Sequence, residues 1–356
     1  MRTTLFNVLT GASLITAAPT HISPRASKVQ YAGVNIAGFD FGCTIDGKCS
    51  LTGTNKPYNI VSGGTALGQM NHFVKDDTLN TFRLPVGWQF LLNNNLGGKL
   101  DSNNFAQYDS LVQGCLNSGA SLCILDIHNY ARWNGAIVGQ GGPADAQLAD
   151  VWKQLAQKYA SQSKIAYGVM NEPHDIPDIS KWATTVQGVV TAIRNAGAKS
   201  NLILMPGQGF TSAETFVSSG SAAALNNVKN PDGTTDNLIM DVHKYLDSDN
   251  SGTHTECVKN NIDTAFKPLA QWLKQNNRKA MLTETGGGNT SSCQKYLCEQ
   301  LQFLNANSDV YLGYTTWAAG GFDAKYELTE TPTQQGGQWR DTSLTQACVV
   351  GSWKNA

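Results

Sequence analysis

Charge is what this sequence has least of. Asp, Glu, Lys and Arg make up 15% of its residues, and 26 basic against 27 acidic side chains leave a formal net charge of −1, where soluble domains average about 25% charged. Such a chain lacks the basic footprint that nucleic acid or an anionic membrane surface selects, and it suits a neutral ligand. Beyond the first 18 residues no apolar run approaches the ~20 that span a bilayer.

Several short catalytic motifs are missing too. There is no G-x-S-x-G elbow, which disfavours a serine hydrolase. The eight cysteines contain no C-x2-C pair and the six histidines no H-E-x-x-H or H-x3-H spacing, so neither a metal site nor a cofactor is expected. The one glycine-rich near match, Gly139 to Ala144, has a proline in the turn and no acidic ribose partner closing a βαβ unit; it reads as a loop and helix start, not a dinucleotide fingerprint. No Ser/Thr/Pro-rich linker, repeat or charge run divides the chain, so one domain without an appended binding module is expected.

What is present begins with Met1-Arg2, an apolar stretch of 14 residues from Leu5 to Ala18, and Pro19. This reads as a signal peptide over residues 1–18, with residues 19–27 a short pro-segment or frayed terminus and residues 28–356 the catalytic domain. The expected product is secreted, extracellular and monomeric. An even count of eight cysteines in such a chain points to four disulfides; 105 connectivities are open, and proximity favours Cys43–Cys49, Cys115–Cys123, Cys257–Cys293 and Cys298–Cys348. The Asn289-Thr290-Ser291 sequon is a candidate glycosylation site.

Eight short apolar, β-branched-rich runs recur along the chain: 31–38, 81–88, 121–130, 165–173, 201–210, 238–247, 279–288 and 310–321. Between them, stretches such as 144–161, 179–196 and 260–275 place apolar residues three and four apart, as amphipathic helices do. Eightfold strand–helix alternation predicts an α/β fold, a single (β/α)8 TIM barrel.

In such barrels the working residues lie at the C-terminal strand ends. Here those ends are polar and aromatic: Arg83 to Trp88, Asp126 to Tyr130, Asn171-Glu172-Pro173, His243-Lys244-Tyr245, Thr283-Glu284-Thr285 and Thr316-Trp317-Ala318. Two glutamates at the tops of strands four and seven are a pair of carboxylates facing one site, which is what glycosidic-bond cleavage requires. Taken singly, each glutamate has a bland alternative as a helix-start or loop residue, and each histidine as a structural one.

The strings Arg83-Leu84-Pro85 and Asn171-Glu172-Pro173, with Glu284, His128, His243, Tyr245 and Trp317 at the other strand ends, resemble glycoside hydrolase family 5. The stretches 127–133, 139–147, 167–175 and 283–287 are similar to its fungal endoglucanases in particular, and the resemblance runs from about Val29 to Trp353. It implies a retaining endo-β-1,4-glucanase in which Glu172 is the acid/base and Glu284 the nucleophile. Arg83 and Tyr245 would hold the nucleophile, Asn171 would bind the sugar 2-hydroxyl, and His128 and His243 would bind hydroxyls or tune the carboxylates. Trp317 would form a stacking floor, with Trp133 a second platform. Mannan, mixed-linkage glucan and xylan remain alternative substrates on the same fold, and a non-catalytic carbohydrate-binding barrel is the alternative of another class.

Overall fold

The computed structural model of the protein describes Met1, residues 28–54 and residues 65–356. The expected leader and the 19–27 segment lie outside the described residues.

Eight strands close into a barrel: β1 Tyr31–Ala37, β2 Thr81–Val86, β3 Leu122–Ile127, β4 Ile165–Gly168, β5 Ile203–Pro206, β6 Leu238–His243, β7 Ala280–Glu284 and β8 Tyr311–Gly320. The spatial order is β1-β8-β7-β6-β5-β4-β3-β2, and every neighbouring pair runs parallel. Each strand falls inside one of the eight apolar runs. The runs extend past most strand ends because the residues there leave the ladder to form the rim.

Alternation along the strands explains both the core and the site. Side chains of successive residues point to opposite faces. The outward set packs on the helices in the main core, while Leu122, Ile124, Ala166, Leu204, Ile239, Met281 and Leu312 form a separate cluster. Continuing by twos from Ile124, Ile239 and Met281 on β3, β6 and β7 leads to Asp126, Asp241 and Thr283. One face of each strand is thus apolar at one end and polar at the other.

The expected helices are present. Asp145–Tyr159 and Ile179–Asn195 match closely, and the third opens with a π-helical turn, Ile262–Phe266, before Lys267–Gln275. Asp178 caps the second by accepting from the backbone N–H of Ser180 and Lys181. Trp152 and Trp182 are fully buried, their indole N–H groups donating to the carbonyls of Val169 and Pro206. The glycine-rich segment is a turn leading into the helix at Asp145, as read; Gly139 has φ +69°, and a Cβ there would meet the Asp145 carboxylate at 2.2 Å. Two short antiparallel pairs were not anticipated: Arg132–Trp133 with Ala136–Ile137, and Thr333–Gln335 with Gln338–Arg340, the latter turning on Gly336-Gly337 at φ +57° and +80°.

Disulfides join Cys43–Cys49, Cys115–Cys123, Cys257–Cys293 and Cys298–Cys348, and no described cysteine is free. Among the described residues no helix is long and apolar enough to cross a membrane.

Candidate active site

Glu172 and Glu284 meet at the rim. One carboxylate oxygen of each, with a ring nitrogen of His243, forms a set of atoms all within 4.8 Å of one another. Glu284 ends β7, and Glu172 follows β4 in the left-handed region at φ +41°. For a non-glycine residue that conformation costs on the order of 1–3 kcal/mol and persists only where the surroundings impose it.

The two carboxylates have different neighbours. Glu284 is 5% exposed and receives two donors: the Arg83 guanidinium on Oε2 at 2.8 Å and the Tyr245 hydroxyl on Oε1 at 2.7 Å. Glu172 receives no such cation. Burial pushes its carboxyl up to about 7, and the positive potential of His128 and Arg83 offsets this only in part.

Arg83 reaches four partners from the barrel interior. Nη1 contacts Glu284 and, at 3.0 Å, Asn35 Oδ1; Nη2 contacts Asn171 Oδ1 at 2.6 Å and Asp126 Oδ2 at 3.0 Å. Burial alone would lower the guanidinium's pKa, but the carboxylates of Asp126, Glu284 and Asp241 outweigh it and hold the group charged. Because Oδ1 of Asn171 accepts from Arg83, its amide orientation is set, and Nδ2, buried, is left without a partner.

His243 connects Glu172 to the barrel interior. Its Nδ1 is 2.8 Å from Glu172 Oε1 and its Nε2 is 3.0 Å from Thr283 Oγ1, which in turn donates to Asp241. With its own proton directed at Asp241, Thr283 accepts from Nε2–H; the Nδ1 lone pair then faces Glu172 and accepts the proton of its acid form. Burial lowers the His243 pKa, which keeps the ring neutral and able to do this. His128 differs. Burial opposes its charge, but a 2.8 Å hydrogen bond to Asp126 and that carboxylate's field prevail, so its pKa rises.

Trp317 lies beside this group, its ring stacked on His128 at 5.5 Å between centroids and 18° between planes, its N–H held by the Tyr326 hydroxyl at 3.0 Å. The structure therefore brings together Glu172, Glu284, Arg83, His128, Asn171, His243, Tyr245 and Trp317. Trp133 stands apart: it packs edge-on against Trp88 at 5.2 Å in the main core, and no described contact joins it to either carboxylate. Sequence reasoning missed Asn35, whose amide donates to the carbonyls of Thr283 and Thr316 at 3.0 Å each, and it assigned no role to Asp126, Asp241 or Thr283. An acidic residue inside an apolar run, as in Leu-Cys-Ile-Leu-Asp126 or Leu-Ile-Met-Asp241, was the available signal.

The family model described as Cellulase (glycosyl hydrolase family 5) matches residues 35–320, from Asn35 on the first strand to the last residue of the eighth. The chain belongs to glycosyl hydrolase family 5. A relative, Endoglucanase EG-II of Hypocrea jecorina (strain Rut C-30), is 63% identical over 329 residues, covering 91% of this chain and 78% of the relative. Manganese dependent endoglucanase Eg5A of Phanerodontia chrysosporium is 45% identical over 331 residues, covering 92% and 82%. Among solved structures, Cel5A (EG2) from Hypocrea jecorina superimposes with a TM-score of 0.88 at 62% identity, covering 90% of this chain and 98% of that one. XacCel5A in complex with cellopentaose gives 0.77 at 30% identity, covering 91% and 99%.

Proposed function

We propose that the protein is a secreted endo-β-1,4-glucanase that cleaves internal bonds of cellulose and related β-glucans with retention of configuration. The observation that carries the mechanism is the pair of unlike carboxylates, one oxygen of each lying within 4.8 Å of the other, too close to leave a water between those two atoms in line. Retaining glycosidases hold their carboxyl groups ~5–5.5 Å apart, whereas inverting ones leave ~6.5–9.5 Å for a water.

In the first displacement Glu284, kept anionic by Arg83 and Tyr245, attacks the anomeric carbon. The bond to the leaving sugar breaks as its oxygen takes the proton of Glu172, and an ester to Glu284 forms. In the second, Glu172, now a carboxylate, takes a proton from water, whose oxygen attacks the same carbon. The ester breaks, and both glutamates return to their starting states. Asn171 Nδ2 offers its unpaired N–H to the sugar 2-hydroxyl, a contact that strengthens as the oxocarbenium-like transition state forms. Trp317 offers a flat apolar surface to the C–H face of the pyranose.

Cellulose as substrate rests on the relatives named endoglucanases and on the neighbour solved with cellopentaose. Export is supported by the leader-like first 18 residues and the four disulfides; the enzyme acts as a monomer. Glycosylation at Asn289 fits its exposed position; its Nδ2 donates to the Thr329 carbonyl at 3.3 Å, and the hydrogen that the glycosylated nitrogen keeps can make that bond. The test is product analysis with cellopentaose and, separately, mannopentaose, using Glu284→Gln as control, with the anomeric configuration read by NMR. Internal cleavage of cellopentaose to β-products, absent in the variant, is expected. Cleavage of mannopentaose alone moves the substrate, α-products overturn retention, and no cleavage of either favours a binding-only barrel or another linkage.

A further inference from the structure

Away from the rim, where the first barrel helix ends, His72 is surrounded by carboxylates. The helix Ala66–Lys75 carries it in the last turn, Asp76 and Asp77 follow directly, and Asp341 comes from the far end of the chain, just beyond the Gln338–Arg340 strand. Nδ1 of His72 is 2.7 Å from Asp76 Oδ2. Nε2 is 2.9 Å from Asp341 Oδ1 and 3.3 Å from Asp77 Oδ2. The side chains of His72, Asp77 and Asp341 are 4–5% exposed, and Trp339 lies flat on the imidazole at 5.4 Å and 14°.

One atom in this cluster has no hydrogen-bond partner: Asp77 Oδ2, fully buried and the oxygen directed at Nε2. Its nearest donor is Nε2 itself at 3.3 Å, and the three carboxylates outnumber the two cationic side chains beside them, a deficit that a metal ion between Asp77 and Asp341 would offset. The donor spacings suit one. Ligands ~2.0–2.2 Å from a central ion stand about 2.8–3.1 Å apart in an octahedral shell and about 3.3–3.6 Å in a tetrahedral one, which brackets the two Nε2 to oxygen distances. Asp76, on the other ring nitrogen, occupies the outer position that orients metal-binding histidines and fixes which nitrogen is free to ligate. A surface cavity of about 690 Å³, also lined by Trp339, Arg340 and Lys354, provides a route in. Lys354 Nζ, 3.8 Å from the other oxygen of Asp77, is the only described cation paired with the three aspartates besides His72 itself.

We propose that His72, Asp77 and Asp341 form a structural site for one divalent transition-metal ion, with Asp76 holding the imidazole from behind. Imidazole with carboxylates is a donor set for Zn2+ and its first-row neighbours. The site ties the first helix to the segment that follows β8, residues 269 positions apart in sequence, and so fastens the two ends of the chain across the seam where β8 meets β1. The other non-catalytic cluster, Asp247 with Asp249 and His254, lacks this arrangement. Its Asp249 and His254 are exposed, and the unpaired Asp247 oxygen is Oδ1, whereas Oδ2 is the one facing His254.

The experiment uses the full-length enzyme stripped with a chelator and titrated with Zn2+ by calorimetry, with Tm and activity on a soluble β-1,4-glucan recorded in parallel. One ion per chain and a rise of a few degrees in Tm are expected. Asp77→Asn and, independently, Asp341→Asn should each lose the Tm rise and weaken binding at least tenfold to a hundredfold, with kcat/KM within about twofold of the parent in the absence of the ion. Asp341, at the edge of the cluster, serves as the readout if Asp77→Asn does not fold. Glu284→Gln should bind the ion unchanged. Absence of binding, binding that survives both aspartate substitutions, or binding lost only in Glu284→Gln would each overturn the proposal, the last by placing the ion at the catalytic pair.

Discussion

The imidazole of His243 stands 2.8 Å from Glu172 and is oriented from behind by Thr283, so the surroundings of the Glu172 carboxyl are set by residues on two other strands. One carboxylate oxygen of Glu172 lies within 4.8 Å of one of Glu284, yet burial raises the pKa of the first while Arg83 and Tyr245 donate to the second.

Removing the two functions should have separable effects. Glu284→Gln abolishes covalent catalysis and should reduce kcat by several orders of magnitude on every substrate. Glu172→Gln should cost about 10²–10⁴-fold on glucan, where the leaving oxygen needs a proton. On an aryl cellobioside with an acidic phenol as leaving group, the first displacement of Glu172→Gln should recover most of its rate. Pre-steady-state release of the phenol reads this directly, and equal loss on both substrates would contradict the assignment.

The pH profile follows from the same pair. Glu172 must carry its proton to act, and burial pushes its pKa up to about 7, so kcat/KM should fall as pH rises through about 7. Thr283→Val removes the acceptor of Nε2–H and frees the ring to place its proton on Nδ1, which favours the Glu172 anion. The alkaline limb should shift to lower pH. A limb that stays put would disconnect Thr283 from the acid.

Glu330 gives a stability test away from the chemistry. Its side chain is 1% exposed, Oε2 accepts from the Thr316 hydroxyl at 2.6 Å, and burial pushes the carboxyl up to about 8 from an ordinary 4.5. A carboxyl with a raised folded-state pKa stabilises the fold fully below its unfolded pKa, and that contribution is lost as pH rises through the folded one. Between pH 5 and 8.5 the wild type should therefore lose stability relative to Glu330→Gln, on the order of a few kcal/mol. Urea midpoints of both proteins at the two pH values measure it.

The disulfides should differ in worth. Cys298–Cys348 spans 50 residues and Cys43–Cys49 only 6, so loop-closure entropy assigns the former about 4 kcal/mol and the latter about 2 kcal/mol. Replacing each pair by alanine and comparing denaturation midpoints should rank them in that order.

Much of this was readable in advance because the barrel repeats a simple signal. Each apolar run held a strand, and six of the eight ended in polar or aromatic residues, which is how Arg83, Glu172, His243 and Glu284 stood out. The interior residues were harder. Asn35, Asp241 and Thr283 sit one per strand inside apolar surroundings, and their importance comes from meeting across the barrel, a contact between segments up to 281 residues apart that no local pattern encodes. Trp133 shows the converse. A tryptophan on a rim loop suggests a sugar platform, whereas the contact observed for this one is edge-on packing against Trp88 beside the short Arg132–Trp133 strand.

The unpaired amide hydrogens of Asn171 make one more point. A buried donor with no acceptor costs roughly 1–3 kcal/mol, and Arg83 prevents the amide from flipping to relieve it. A sugar hydroxyl placed against Nδ2 supplies the acceptor that the protein itself does not. Selectivity for that hydroxyl is in this sense stored in the protein before any substrate arrives.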